Sequence, residues 1–395
     1  MAGISLGLTL LLGTLFALVP LGVDAFLPAM PAIAAALGAE PRTVQFALTT
    51  FLAGGALGQL FWGPFSDRFG RRPTLLAGLA VALGASAACA LAQSATAIVL
   101  LRFLQGLGMS AGPVIARAVA RDLFAHEQAA RLLARMTVVF GLVPILAPLA
   151  GGALIGIGWE AVFWFYAAVV AALAVVVHAV LAETAPALGA AHPAREIASR
   201  YWGLLRDRRF IAPLTVLLAS QFGVVSFISS SAFVMVQAYG VSAQGFAVLF
   251  STVMLGHIAG AWLSSRAVLK RGIARLVRLG AWLSFAGGVA AGVLVWSGLA
   301  HWAWVIGPMV LYMFGIGFVF PNAIAAALSP FPKIAGSASA LLGFLQFGTS
   351  AVTSGVLAVL FDGTGRPMAA AIALGAVAAL AAERLILRPA LERAG

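Results

Sequence analysis

The sequence predicts an all-α membrane protein: twelve spanning helices arranged as two groups of six. Three observations carry that expectation. The chain is 62% hydrophobic and only 9% charged over 395 residues, with a mean hydropathy of +1.05, far beyond the roughly half-apolar make-up of soluble domains. Its apolar residues gather into runs of about 20, the length a helix needs to cross the hydrocarbon core. The one long polar interruption, AETAPALGAAHPAREIASRYWGLLRDRR at 182–209, falls near the middle.

Span 1, at 8–34, contains Asp24 as its only charge. No basic residue precedes this stretch, so it is expected to remain as a helix and not to act as a cleaved leader. A carboxylate at mid-membrane costs roughly 2.5–3.5 kcal/mol on insertion scales, which marks it as functional. Pro28 and Pro31 lack N–H groups and so release the carbonyls of residues 24 and 27. Such groups persist in a membrane only where protein or a water-filled cavity satisfies them. Asp24 is therefore expected to face an aqueous cavity between the halves and to exchange a proton there.

Spans 2 and 3, at 44–64 and 73–93, are joined by GPFSDRFGRR at 63–72. Span 4, at 97–120, carries Arg102 roughly 8 Å below its outer end, with Gln105 one turn further on. Arg102 either pairs with Asp24, directly or through water, or extends to the interface. In span 5, at 134–156, Pro144 and Pro148 free two carbonyls, and Gly151 and Gly152 permit close packing and flexing. Span 6 covers 161–181. In the linker, Ile197, Tyr201, Leu204 and Leu205 recur at helical spacing beside Arg200 and Arg206, which predicts an amphipathic helix on the membrane surface.

The second group runs 210–236, 243–265, 277–298, 303–325, 336–360 and 367–387. The organisation is thus a half at 1–182, a linker at 183–209 and a half at 210–395. GAWLSSRAVLKRG at 260–272 loosely repeats the segment between spans 2 and 3, as parallel halves require. Gln221, Phe222, Phe227, His257, Tyr312, Asn322, Phe344 and Gln346, with Phe26 and Gln105 from the first half, are candidates to line an apolar cavity holding a small molecule. Helix packing is the competing reading for each aromatic. His257 is either a second protonatable group or a satisfied packing residue.

Charge sets the orientation. With the N-terminus inside, all but three of the 24 basic residues fall on the cytoplasmic side, leaving Arg42 and Arg366 outside and Arg102 within a span. Both termini are then cytoplasmic. Other classes are disfavoured. The basic residues are scattered and form no stripe for nucleic acid. Neither lysine ends a phosphate loop, so no nucleotide is expected, and no dinucleotide or zinc-protease motif is present. Cys89 is alone, so a disulfide and a cysteine-based metal site drop out. No cofactor is expected, and the energy source must be an ion or solute gradient.

GPFSDRFGRRP resembles the cytoplasmic signature of the major facilitator superfamily, and it stands at the expected place between spans 2 and 3. RFLQGLG at 102–108 and GLVPILAPLAGG at 141–152 resemble that family's fourth- and fifth-helix motifs, the latter as found in drug-exporting antiporters. DAFLPAMP in helix 1, FPNAIAAAL at 320–328 and GSASALLGFLQF at 336–347 are similar to the Bcr/CflA group of drug:proton antiporters. Phe26 stands where that group often has Tyr, and Ala147-Pro148 where many antiporters have Gly-Pro.

The resemblance implies a monomeric exporter in a bacterial inner membrane, moving small amphipathic drugs against protons by alternating access. Asp24 and Arg102 would couple the proton. Gly63, Asp67, Arg68, Gly70, Arg71 and Arg72 would govern access together with Pro144, Pro148, Gly151 and Gly152, with Gly63 allowing close helix approach and Asp67 accepting from donors near the start of span 11, around Gly336 and Ser337, and from a basic group such as Arg121. A proton-coupled metabolite carrier and a transport-like sensor are the rival readings.

Overall fold

The computed structural model describes residues 5–124, 126–185, 194–298 and 301–392. Twelve of its helices are long and apolar enough to cross a membrane: Leu18–Ala36, Pro41–Phe69, Arg71–Ala90, Ala95–Leu123, Glu127–Leu154, Glu160–Val180, Arg208–Ala238, Ala243–Arg271, Ile273–Trp296, Ala303–Leu328, Ala335–Leu360 and Arg366–Ala390. These are spans 1 to 12 below. A shorter apolar helix, Leu6–Phe16, leads into span 1, and the surface-helix candidate forms at Ala194–Arg206.

The chain divides into two compact units, one up to residue 193 and one from 194. The boundary lies inside the expected linker because the helix at 194–206 belongs with the second unit. Its Leu204 is 1% exposed and sits in a core with Phe210, Leu217 and Leu341.

Helix ends follow the backbone more than the apolar run. Span 2 continues past Asp67 and Arg68 to Phe69, and span 8 past Arg266 to Arg271, several residues beyond the expected ends at 64 and 265. Each stops where a glycine takes positive φ, Gly70 at +98° and Gly272 at +75°, a conformation that costs side-chain-bearing residues dearly. Charged residues on long stems extend such helices into the aqueous layer without ending them.

Proline places the breaks. Span 1 comprises Leu18–Asp24, a 3-10 turn at Leu27–Ala29 and Met30–Ala36. There the Phe26 N–H donates to the Val23 carbonyl at 3.2 Å and the Ala29 N–H to the Phe26 carbonyl at 3.0 Å. Span 4 is interrupted at Ser110, where Pro113 removes the donor that the Met109 carbonyl would otherwise receive. Span 5 stays helical through Pro144 and Pro148.

Close packing of backbones recurs in both units, in keeping with the internal repeat. A Cβ on Gly54 of span 2 would lie 2.1 Å from the Phe103 carbonyl oxygen of span 4, and one on Gly106 2.0 Å from that of Phe51. In the second unit a Cβ on Gly260 of span 8 would lie 2.1 Å from the Phe314 carbonyl of span 10. Only hydrogen fits at such crossings. Gly63 is different: its nearest neighbour would be a Val114 methyl at 4.0 Å, so the close approach expected there occurs at Gly54 and Gly58 instead. Gly106→Ala is expected to destabilise the protein by about 1–3 kcal/mol, the usual cost of overpacking. Gly141→Ala, with nothing within 4 Å, serves as a neutral control in thermal unfolding in detergent.

Candidate functional site

The break in span 1 organises the site in the first unit. Because the Phe26 N–H turns back to Val23, the Gly22 carbonyl is left without its helical donor. Arg102 of span 4 supplies one: its Nη2 donates to the Gly22 oxygen at 2.9 Å and its Nη1 to Gln105 Oε1 at 2.5 Å. Gln105 Nε2 passes the chain on to Ser86 Oγ at 2.7 Å, which donates to the Ala82 carbonyl. The Tyr166 hydroxyl, from span 6, also donates to the Gly22 oxygen at 3.3 Å.

The Arg102 guanidinium is completely buried, 4.3 Å from the Phe26 ring centre and 4.0 Å from that of Phe51. Two aromatic faces thus lie against the cation. Arg102 neither reaches an interface nor pairs directly with Asp24, because a stripped carbonyl and an amide lie within its fork and two rings lie against it. Phe26, expected against substrate, is fully buried here, with its ring 5.9 Å from that of Phe163.

Asp24 is 5% exposed and ends the helix Leu18–Asp24. Among the described residues its carboxylate forms no ion pair or hydrogen bond. It also sits at the helix end whose exposed carbonyls disfavour negative charge. Span 5 closes over the same break: a Cβ on Gly151 would lie 2.2 Å from the Ala25 carbonyl oxygen, and Gly152 is buried beside it. Nothing but glycine at 151 allows this approach.

A second cluster occupies the turn between spans 2 and 3. Arg71 bonds Asp67, donates to Asp122 Oδ2 at 2.9 Å and to Ser66 Oγ at 2.8 Å. Asp67 therefore takes Arg71 as its partner, while Arg121, expected in that place, donates to the Arg117 carbonyl at 3.2 Å. The i to i+4 spacing and the rigid fork of Arg71 explain the preference. Arg72 reaches the His178 carbonyl at 2.6 Å, and Arg68 is exposed, lying over the Phe69 ring at 5.2 Å.

Glu183, just after span 6, caps the start of span 3. Its carboxylate accepts the Arg71 N–H at 2.8 Å and the Arg72 N–H at 3.1 Å, using donors that a helix N-terminus leaves open. Partial burial works against its charge, but the N–H groups of Ala185, Arg71, Arg72 and Thr184 outweigh it and hold its carboxyl below the ordinary carboxylate range. The capping contribution is then present above the ordinary value of 4.5 and is lost as pH falls through the lower folded value. Glu183→Gln is expected to flatten the acid side of the thermal stability profile below about pH 5 in detergent. An unchanged profile would remove Glu183 from the cap.

Sequence reasoning missed Glu183, Asp122, Ser86, Phe51 and Tyr166. Two of them left a signal: Tyr is rare here, with four in the chain, and Glu183 is one of twelve acidic residues.

In the second unit the candidate residues divide. Tyr312 is fully buried and donates to the Ser220 carbonyl at 3.0 Å, tying span 10 to span 7. Phe227 is buried and stacked on Phe250 at 5.7 Å. Phe344 is half-buried against the core. Asn322 donates to Ser264 Oγ at 2.7 Å and to the Phe318 carbonyl. Gln221 donates to Ser350 Oγ at 3.0 Å, leaving its own oxygen without a partner, and Ser350 in turn donates to the Gln346 carbonyl. Phe222 is half-buried. His257 meets Phe320 edge-on at 6.1 Å, with Nδ1 unpartnered. Tyr312 and Phe227 thus act as packing residues here, whereas Gln221 keeps an unused acceptor.

A family model described as Major Facilitator Superfamily matches residues 12–354. The chain is 33% identical over 366 residues to the bicyclomycin resistance protein homolog of Haemophilus influenzae, covering 91% of this chain and 90% of that protein. It is 30% identical over 363 residues to multidrug resistance protein D of Escherichia coli, covering 90% and 88%. Its fold matches the crystal structure of a D-xylose-proton symporter with a TM-score of 0.76 over 95% of each chain, at 16% identity. The relatives agree with the resemblance to drug-exporting antiporters read from spans 1, 10 and 11. Matched over most of its length by the family model, and built of twelve apolar helices, the chain belongs to the Major Facilitator Superfamily of membrane transporters.

Proposed function

We propose that this transporter exports small amphipathic compounds in exchange for protons, by alternating access between its two six-helix halves, as a monomer in a bacterial inner membrane with both termini cytoplasmic. The relatives' names, bicyclomycin resistance and multidrug resistance, support the substrate class. The concentration of basic residues in alternate loops supports the orientation. The observation that carries proton coupling is the lone buried carboxylate of Asp24 at a broken helix, with no basic partner of its own.

In this reading Asp24 exchanges its proton as its surroundings change between the two access states. Arg102 keeps its charge throughout and holds the Gly22 carbonyl, so that the break stays formed. Span 5 touches that break through Gly151, and its prolines give it room to move, which links the access change to Asp24. The Asp67–Arg71–Asp122 cluster, capped by Glu183, stabilises one access state. Gln221, with its unused oxygen, and Phe222, Asn322, Phe344 and Gln346 supply contacts to the substrate.

Everted membrane vesicles in a medium containing a fluorescent cationic dye test the function. Export is expected to concentrate dye inside them when a proton gradient is imposed and to collapse with a protonophore. Accumulation that ignores the protonophore refutes proton coupling, and dye movement in the reverse sense identifies an uptake carrier.

A further inference from the structure

We infer that the helix Ala194–Arg206 is a sensor of anionic lipid, lying in the headgroup layer where span 7 begins. The helix has two opposed faces. One, formed by Ile197, Tyr201 and Leu204 at helical spacing, packs on the second unit, with Leu204 in its core and Tyr201 against it. This fixes the rotation of the helix. The opposite face carries Arg195, Ala198, Trp202 and Arg206, flanked by Leu205, and all five are exposed. Trp202 is 56% exposed and Leu205 38%.

Two further features select the occupant. The helix ends at Arg206 and span 7 begins at Arg208, so one residue joins the helix to a membrane-spanning one. The segment 194–209 also carries five Arg against two acidic residues. Glu196 bonds Arg200 at 2.6 Å and Asp207 bonds Arg209 at 2.8 Å, which consumes both carboxylates. Arg206 lies over the Trp202 ring at 4.5 Å, and among the described residues no carboxylate pairs with Arg195, Arg206 or Arg208. An indole at headgroup depth beside cations with no counter-ion is the chemistry that takes phosphatidylglycerol in preference to a zwitterionic lipid. A soluble acidic partner would satisfy the arginines but gives no use for an exposed Trp202 and Leu205 on a helix that leads within one residue into a membrane span.

The test uses the full chain reconstituted in vesicles. A nitroxide on Ala198→Cys in a Cys89→Ser background reports from the exposed face without altering Trp202 or the arginines. In phosphatidylglycerol-rich vesicles the probe is expected to meet dissolved oxygen more readily than a water-soluble nickel reagent. In phosphatidylcholine the nickel collision rate should rise several-fold. Arg195→Gln with Arg206→Gln should give the same rise even in phosphatidylglycerol, since each basic residue contributes about fivefold to association with an anionic surface. Equal oxygen and nickel access in phosphatidylglycerol would overturn the proposal and leave the face to a soluble partner. Shielding that is identical in both lipids and in both proteins would also overturn it, as burial without charge recognition. Unchanged elution of the double variant on size exclusion separates a lipid effect from misfolding.

Discussion

Asp24→Asn is expected to bring gradient-driven efflux down to the level of vesicles without protein, while substrate binding stays within about tenfold of the parent. Asn matches Asp in shape and fits the same enclosed place, so packing around the break in span 1 is preserved. It carries no exchangeable acid, and the exchange stops. Asp24→Glu restores the acid but adds one methylene to a site that is 5% exposed, a change that usually costs 1–3 kcal/mol, so partial activity is expected. Efflux against a gradient by the Asn variant, with drug-induced proton release intact, would remove Asp24 from the coupling step and nominate His257.

Arg102→Lys is expected to cut efflux at least about tenfold, equivalent to 1.4 kcal/mol in rate, with normal amounts of protein in the membrane. If Arg102 worked only through its charge, lysine would serve equally well. The structure gives it another task, bonding the Gly22 carbonyl and Gln105 Oε1 at once while lying over the rings of Phe26 and Phe51. A compact ammonium cannot reproduce that fork or that stacking. A buried acceptor left without its donor costs about 1–3 kcal/mol. Arg102→Ala leaves Gln105 Oε1 without its donor, the Gly22 carbonyl with only the longer Tyr166 bond, and a void, so it should also lower thermal stability. Full efflux with an unchanged pH profile in the lysine variant would sink the positioning role.

Much of the architecture was legible in the sequence. Twelve spans and the gap between groups of six emerge from hydropathy alone, and the break in span 1 follows from Pro28 and Pro31, whereas span 5 stays helical through Pro144 and Pro148. Helix ends were less legible: spans 2 and 8 pass through arginines before stopping at Gly70 and Gly272. The candidate site was legible in part. Asp24 and Arg102 stand out because charges in apolar runs are rare. Their relation did not, since Arg102 bonds a carbonyl whose vacancy depends on the Phe26 N–H turning back to Val23.

By itself the sequence determined the solvent, the number of crossings and the presence of ionisable groups within them. These are properties of short segments, since transfer into hydrocarbon depends on the local run of side chains. The tertiary structure decided which partner each polar group takes: Arg102 with Gly22 in preference to Asp24, Asp67 with Arg71 in preference to Arg121, and Glu183 with the first N–H groups of span 3. The physical reason is that in a dry interior a polar group pairs with whichever unsatisfied group lies within about 3 Å. That distance is set by how helices far apart in the chain cross, and the crossings rest on contacts such as Gly54 on Phe103 and Gly151 on Ala25, where the absence of a side chain lets two backbones meet.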